Sequence, residues 1–202
     1  MYININYIIT SNKNYNNPEP IKVFDFNGNK VKEIYCSNDT VYYIDIYYDN
    51  NLLQNYIITG NDGYTKSYDY NKNEIYQKYY EVNNDGTFSI IINKKEKIIE
   101  LIESSCDGNV RIWDFHSSFL LKKIKVSNER LREICMWNNK YIFVGCDDKT
   151  IKLIQINNGK IIKELEGHIN NVLSIKKFIH PKYGKCLLSQ GAYKDSIKLW
   201  II

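Results

Sequence analysis

Residues 109–115 read Asn-Val-Arg-Ile-Trp-Asp-Phe (NVRIWDF), with Asp107 two positions upstream and Asp114 inside the stretch. Two carboxylates flanking Arg111 suggest either a catalytic pair beside a cation or one copy of a repeated element. The second reading accounts for more of the chain. IKVFDF (21–26), TKSYDY (65–70), VRIWDF (110–115), IKLIQI (151–156) and IKLWII (197–202) share one pattern. Each opens with Ile, Val or Thr, continues with Lys or Arg, and has Phe24, Tyr68, Trp113, Ile154 or Trp200 at its fourth position. Those five residues are 44, 45, 41 and 46 positions apart. Near-constant spacing at this length marks a structural repeat.

Each copy is rich in β-branched and aromatic residues over about six positions, a strand signature. Asp62, Asp107 and Asp148 each lie six residues before the large residue, between two strand-like runs, and so read as hairpin-turn residues. Further strands fill the period. An outer strand mixing charge with apolar residues follows each copy (NKVKEIYC, NEIYQKYYEV, FLLKKIKV, GKIIKELEG), as an exposed edge requires. An inner strand comes next (VYYIDIYY, FSIIIN, LREICMW, VLSIKKF), then a largely apolar second strand (LLQNYIIT, KIIELIES, KYIFVG, KCLLSQ). Four strands per period and no helical periodicity predict an all-β chain of propeller blades.

The chain resembles the WD40-repeat family. The resemblance rests on the five strand copies, the three turn aspartates and the Gly167–His168 pair before the last inner strand. It implies a β-propeller of about five blade units, approximately 1–36, 37–82, 83–127, 128–166 and 167–202, of which the first and last are incomplete. It also implies a hydrogen-bonded His, Ser/Thr, Asp and Trp set inside a blade. His168, Ser189 and Trp200 match three of those roles; Asp195 lies five residues before Trp200 rather than six, outside the pattern. The third unit offers Ser104, Asp107 and Trp113, the second Thr59 and Asp62 with Tyr68, the fourth Asp148 with Val144 and Ile154, and the first has Pro18 at the Asp position. The repeats are therefore degenerate.

Composition excludes several classes. A net charge of +4 with dispersed cations is a poor match to the concentrated basic face of a nucleic-acid binder. Five cysteines (36, 106, 135, 146, 186) without a C-x-x-C give neither a disulfide framework nor a zinc site, so no metal or cofactor is expected. No apolar run reaches membrane-span length and the first residues lack a secretory pattern, so the expected location is intracellular, cytoplasmic or nuclear. His168 has no spaced ligand or carboxylate partner, and the repeat accounts for it as a structural donor. Asn27-Gly28 and Asn158-Gly159 read as turns rather than phosphate cradles.

The strand count opens on a second-type strand and ends on a third-type strand. That predicts an open arc, a piece of a larger ring, or a ring completed by another chain, with a loosely closed five-blade ring as the alternative. Seven blades need on the order of 300 residues. With no visible chemistry, the expected function is a non-enzymatic scaffold that binds other proteins. Partner contacts are expected at Arg130 and Arg132, Asn61, Cys106 and Asp147, and Tyr42 and Asn171, on the face holding the second-to-third-strand turns. Two rivals are an anionic-lipid or nucleic-acid binder using the Lys or Arg of the five copies, and an enzyme using Asp45 and Glu133 on inner strands.

Overall fold

The computed structural model describes residues 7–11, 20–35, 40–82 and 85–202; Pro18 and Cys36 lie outside them. Every regular element among the described residues is a strand. The first sheet holds β1 (Tyr7–Thr10), β2 (Ile21–Asp25) and β3 (Lys30–Ile34). The second holds β4 (Val41–Asp49), β5 (Gln54–Asn61), β6 (Tyr64–Asp69) and β7 (Glu74–Tyr80). The third holds β8 (Thr87–Lys94), β9 (Ile99–Ser105), β10 (Asn109–Asp114) and β11 (Leu120–Lys125). The fourth holds β12 (Leu131–Asn138), β13 (Tyr141–Cys146), β14 (Ile151–Gln155) and β15 (Ile161–Leu165). The fifth holds β16 (Val172–His180), β17 (Gly184–Gly191) and β18 (Ile197–Ile201). Strands pair antiparallel in chain order, so each sheet is a meander of hairpins.

The repeat extends to its irregularities. In the first four sheets the register slips where the large residue sits: Val23/Phe24, Ser67/Tyr68, Ile112/Trp113 and Leu153/Ile154. A second slip recurs at the start of each inner strand, at Val41/Tyr43, Thr87/Ser89, Leu131/Ile134 and Val172/Ser174. Bulges at fixed positions increase local twist and re-aim a side chain, which a stack of propeller blades requires. The strand-end aspartates close the next turn: Asp25, Asp69 and Asp114 each accept two backbone N–H groups from the following residues. This Asx geometry substitutes for glycine in a glycine-poor chain.

The core is divided into four apolar clusters among the described residues, one per junction between successive sheets. Ile21, Val23 and Ile34 meet Ile57 and Tyr68. Tyr47, Tyr56 and Tyr79 meet Leu101, Trp113 and Phe115. Ile102, Val110 and Ile112 meet Ile134, Ile142 and Val144. Phe143, Ile151 and Leu153 meet Val172, Ile175 and Leu187. Each fully buried apolar side chain of this size contributes about 1.5–3 kcal/mol. The inner strands β4, β8, β12 and β16 lie side by side in that order. The outward face of the fifth sheet keeps Ile197, Leu199 and Ile201 exposed.

Candidate interaction face and the polar sets beneath it

The fifth sheet contains a closed polar chain. Trp200 Nε1 donates to Ser189 Oγ at 2.7 Å, Ser189 Oγ meets His168 Nε2 at 2.6 Å, and His168 Nδ1 meets Asp195 Oδ2 at 2.8 Å. With the indole donating, the serine hydroxyl is left to donate to Nε2, and Nδ1–H to donate to the carboxylate. Asp195, which its spacing set outside the pattern, is therefore the fourth member. The extra turn length brings it back to the histidine, and it also accepts the Ile169 and Asn170 N–H groups.

Burial would raise the Asp195 carboxyl, but the His168 ring and those two amides hold it down to about 2, against an ordinary 3.8. A depressed carboxyl contributes stability that is complete above its unfolded pKa and lost as pH falls through the folded one. Asp195 therefore adds stability above about pH 4 that disappears toward pH 2. Asp195→Asn is expected to make the acid limb of a urea-midpoint-versus-pH curve shallower in that window. An unchanged limb would show that Asp195 is not held in this way.

The register corrects one assignment. Ser189 pairs with Lys198, two before Trp200; Thr59 pairs with Lys66, two before Tyr68. In the third sheet the residue opposite Arg111, two before Trp113, is Glu103 and not Ser104. Ser104 sits opposite Val110, on the other side of the strand, and its hydroxyl reaches the Arg132 carbonyl of the fourth sheet. Glu103 is fully buried; its Oε2 accepts Thr65 Oγ1 at 2.5 Å and Thr87 Oγ1 at 3.3 Å, and burial raises its carboxyl pKa.

The repeated Lys or Arg takes over where histidine is missing. Arg111 is fully buried; it holds Asp107 with Nη1–Oδ1 at 3.2 Å and a second Nη2–Oδ2 bond, and Glu81 with Nε–Oε2 at 2.6 Å. Lys152 holds Asp148 at 2.9 Å and Glu164 at 3.0 Å. Lys66 is also buried. In these three copies the cation is buried, which removes it from any anion-binding surface. The two carboxylates around Arg111 thus have separate tasks: Asp107 clamps the arginine and Asp114 caps a turn.

The expected partner-binding residues divide by exposure. Asn61 is fully buried and presents no side-chain surface. Arg132 forms a bidentate pair with Asp147, Nε–Oδ1 and Nη2–Oδ2 both 2.7 Å, and this pair raises its pKa. Its guanidinium lies 4.7 Å from the Phe88 ring centre, and Tyr42 meets Phe88 edge-on at 5.2 Å. Cys106 and Asn171 are half-buried, and Arg130 is exposed. Desolvation raises the Cys106 thiol, which keeps it in the unreactive form. A hollow of about 300 Å³ opens beside this cluster, lined by the inner-strand residues Tyr43, Phe88, Arg132, Glu133, Leu173 and Ser174.

The inner-strand carboxylates Asp45 and Glu133 line one hollow with Tyr43 and Lys176, and each is bonded to partners there. Glu133 accepts from Ser174 Oγ and from Ile175 N (2.8 Å), and pairs with Lys176, tying β12 to β16. Asp45 accepts from Tyr43 OH and from its neighbouring Ile46 N. Among the described residues no cluster of His, Cys, Asp and Glu could hold a metal ion, and no helix is long and apolar enough to cross a membrane.

No family model matches the chain. Over 100 residues it is 31% identical to the U3 small nucleolar RNA-associated protein 21 homolog of Schizosaccharomyces pombe, 50% of this chain and 11% of that protein. It is 28% identical over 116 residues to a probable coatomer subunit beta' of the same yeast, 55% of this chain and 14% of that protein. It is 33% identical over 79 residues to the WD repeat domain-containing protein 83 homolog of Dictyostelium discoideum, 38% of this chain and 23% of that protein. The matched segments span under a quarter of the length of each of these relatives.

Proposed function

We propose that this WD40-repeat chain is a non-enzymatic scaffold, a rigid set of blades that presents loops to other proteins inside the cell, in cytoplasm or nucleus. The observation that carries the reading is the Arg132–Phe88–Tyr42 cluster beside an open hollow, with Arg132 oriented by Asp147. Arg and aromatic residues around a partly desolvated pocket are the usual anchors of protein interfaces. The five blade units act as a single region. A further chain bearing similar blades would also cover Ile197, Leu199 and Ile201 on the fifth sheet.

Affinity purification of the tagged protein, with mass spectrometry of the bait and its co-purifying proteins, tests the reading. A stoichiometric protein partner is the expected result; a bait free of partners would sink it. Replacing both Arg130 and Arg132 with alanine is expected to weaken the partner about 30-fold, the effect of losing a hot spot of about 2 kcal/mol. Arg130→Glu, at an exposed position, separates loss of contact from loss of the Arg132–Asp147 clamp. Wild-type affinity in both variants would place the interface elsewhere.

A further inference from the structure

The end of the molecule opposite this cluster gathers charge that the sequence spreads out. There the turns joining first and second strands of neighbouring sheets come together. Lys94 Nζ donates to the Tyr48 carbonyl at 3.0 Å, and Asn139 shares a hollow with residues 93–98. Lys177 Nζ reaches the Trp137 carbonyl at 3.3 Å, and Lys185 lies 5.8 Å from the Trp137 ring centre. The third sheet supplies Lys94, Lys95 and Lys97, the fourth Lys140, and the fifth Lys177, Lys182 and Lys185. The acids at this end are Glu96 and Glu100, the latter paired with Lys95, together with Asp49 in the loop beside them and the turn-capping Asp69 and Asp114. These seven lysines outnumber the five carboxylates. The turns at the other end carry Asp62, Asp107, Asp147, Asp148 and Asp195.

The crests of the same turns are apolar and exposed: Leu52 at 55%, Leu53 at 67%, Ile179 at 78% and Tyr183 at 44%. Leu53 has φ +52°, a left-handed conformation rare for a bulky side chain. Asp49 fixes that loop by accepting the Asn51 and Leu52 N–H groups. The fold thus holds two adjacent leucines outward, one of them at a backbone cost, next to a lysine-rich loop.

We propose that this end docks on an anionic membrane surface, with the lysines on the headgroups and the Leu52, Leu53 and Ile179 crests in the interfacial layer. Lysine point charges and protruding aliphatic side chains suit a fluid anionic interface. A single-stranded nucleic acid would stack its bases on flat rings, but the Tyr183 ring is already stacked on His180 at 4.7 Å and the other crests, Leu52, Leu53 and Ile179, are aliphatic. The proposal does not rest on the scaffold reading, which concerns the opposite end, and it uses turn lysines rather than the clamped cations of the strand copies.

Flotation of the 202-residue chain with vesicles of phosphatidylcholine, alone or with about a third phosphatidylserine, tests it at ~0.1 M salt. Binding to the anionic vesicles only is expected. K97E/K140E/K182E is expected to lower partition on the order of 100-fold, from about five-fold per lysine. L52S/L53G is expected to lower it about ten-fold without lowering the melting temperature, since glycine relieves the left-handed strain. No flotation, or equal flotation with neutral vesicles, overturns the proposal. So does tighter binding to single-stranded RNA or polyglutamate than to vesicles, if L52S/L53G leaves that binding unchanged.

Discussion

Replacing Arg111 with alanine is expected to cost the fold about 3 kcal/mol. The side chain has no solvent exposure, and its removal leaves Asp107 and Glu81, at 17% and 26% exposure, facing a buried void without their shared cation. Breaking one partner of a buried pair costs about 3–5 kcal/mol, and access of water to the two carboxylates sets the lower end. Lys123, opposite Arg111 on β11, bonds Glu81 at 2.8 Å and remains to hold that one carboxylate, which leaves Asp107 without its cation. Urea denaturation followed by tryptophan fluorescence measures the loss, and the melting temperature is expected to fall on the order of 10 °C. A loss under about 1 kcal/mol would show that the apolar cluster around Trp113 and Phe115 holds the third sheet unaided. Arg111→Lys is expected to recover only part of the loss, because an ammonium cannot bridge both carboxylates in a planar fork.

Gly108→Ala is the second large effect. Gly108 has φ +77°, and a Cβ there would lie 2.0 Å from the Ser127 carbonyl oxygen and 2.9 Å from that of Glu129. The Gly108 carbonyl accepts the Val126 and Ser127 N–H groups, so the connector is bonded onto the turn and cannot retreat. Backbone strain and overpacking together give an expected loss of about 3–5 kcal/mol, seen as a falling soluble yield and a lowered urea midpoint. Gly28 provides the comparison: its φ is +82°, yet nothing lies within 4 Å of the added Cβ. Gly28→Ala is expected to cost about 1 kcal/mol, from backbone conformation alone. Equal losses at the two sites would mean that the close approach at Gly108 relaxes on substitution.

The sheets were legible in the chain because their period is written in large side chains. Phe24, Tyr68, Trp113 and Ile154 each mark a bulge between third and fourth strands, so the spacing seen in sequence is a spacing of bulges in the fold. The polar sets were less legible because hairpin turns differ in length. Thr59, Glu103, Val144 and Ser189 occupy one register position, yet lie nine, ten, ten and eleven residues before their large residues. The family's Ser or Thr role therefore selected Ser104 over Glu103, and a fixed count back from the large residue set Asp195 aside. Counting strand alternation backward from Trp113 would have found Glu103, since opposed residues share a face. The basic end was illegible for another reason. Lys97, Lys140 and Lys182 are a blade apart in the chain, and only the side-by-side arrangement of β8, β12 and β16 makes them neighbours.

The clamps made by the turn aspartates are side-chain contacts, whereas contacts between sheets also include tight backbone approaches. Gly60 faces the Thr87 carbonyl so closely that a Cβ would sit 2.6 Å from it, and Gly145 faces the Val172 carbonyl at 2.9 Å. The two kinds of position face different limits as the sequence drifts. A copy can exchange histidine for arginine or lysine, or lose its polar set, and flexible side chains at its borders can adjust to the change. A side chain at either glycine shifts two blades at once. Variation can therefore accumulate in the motif that announces the repeat, while the seams between copies stay narrow.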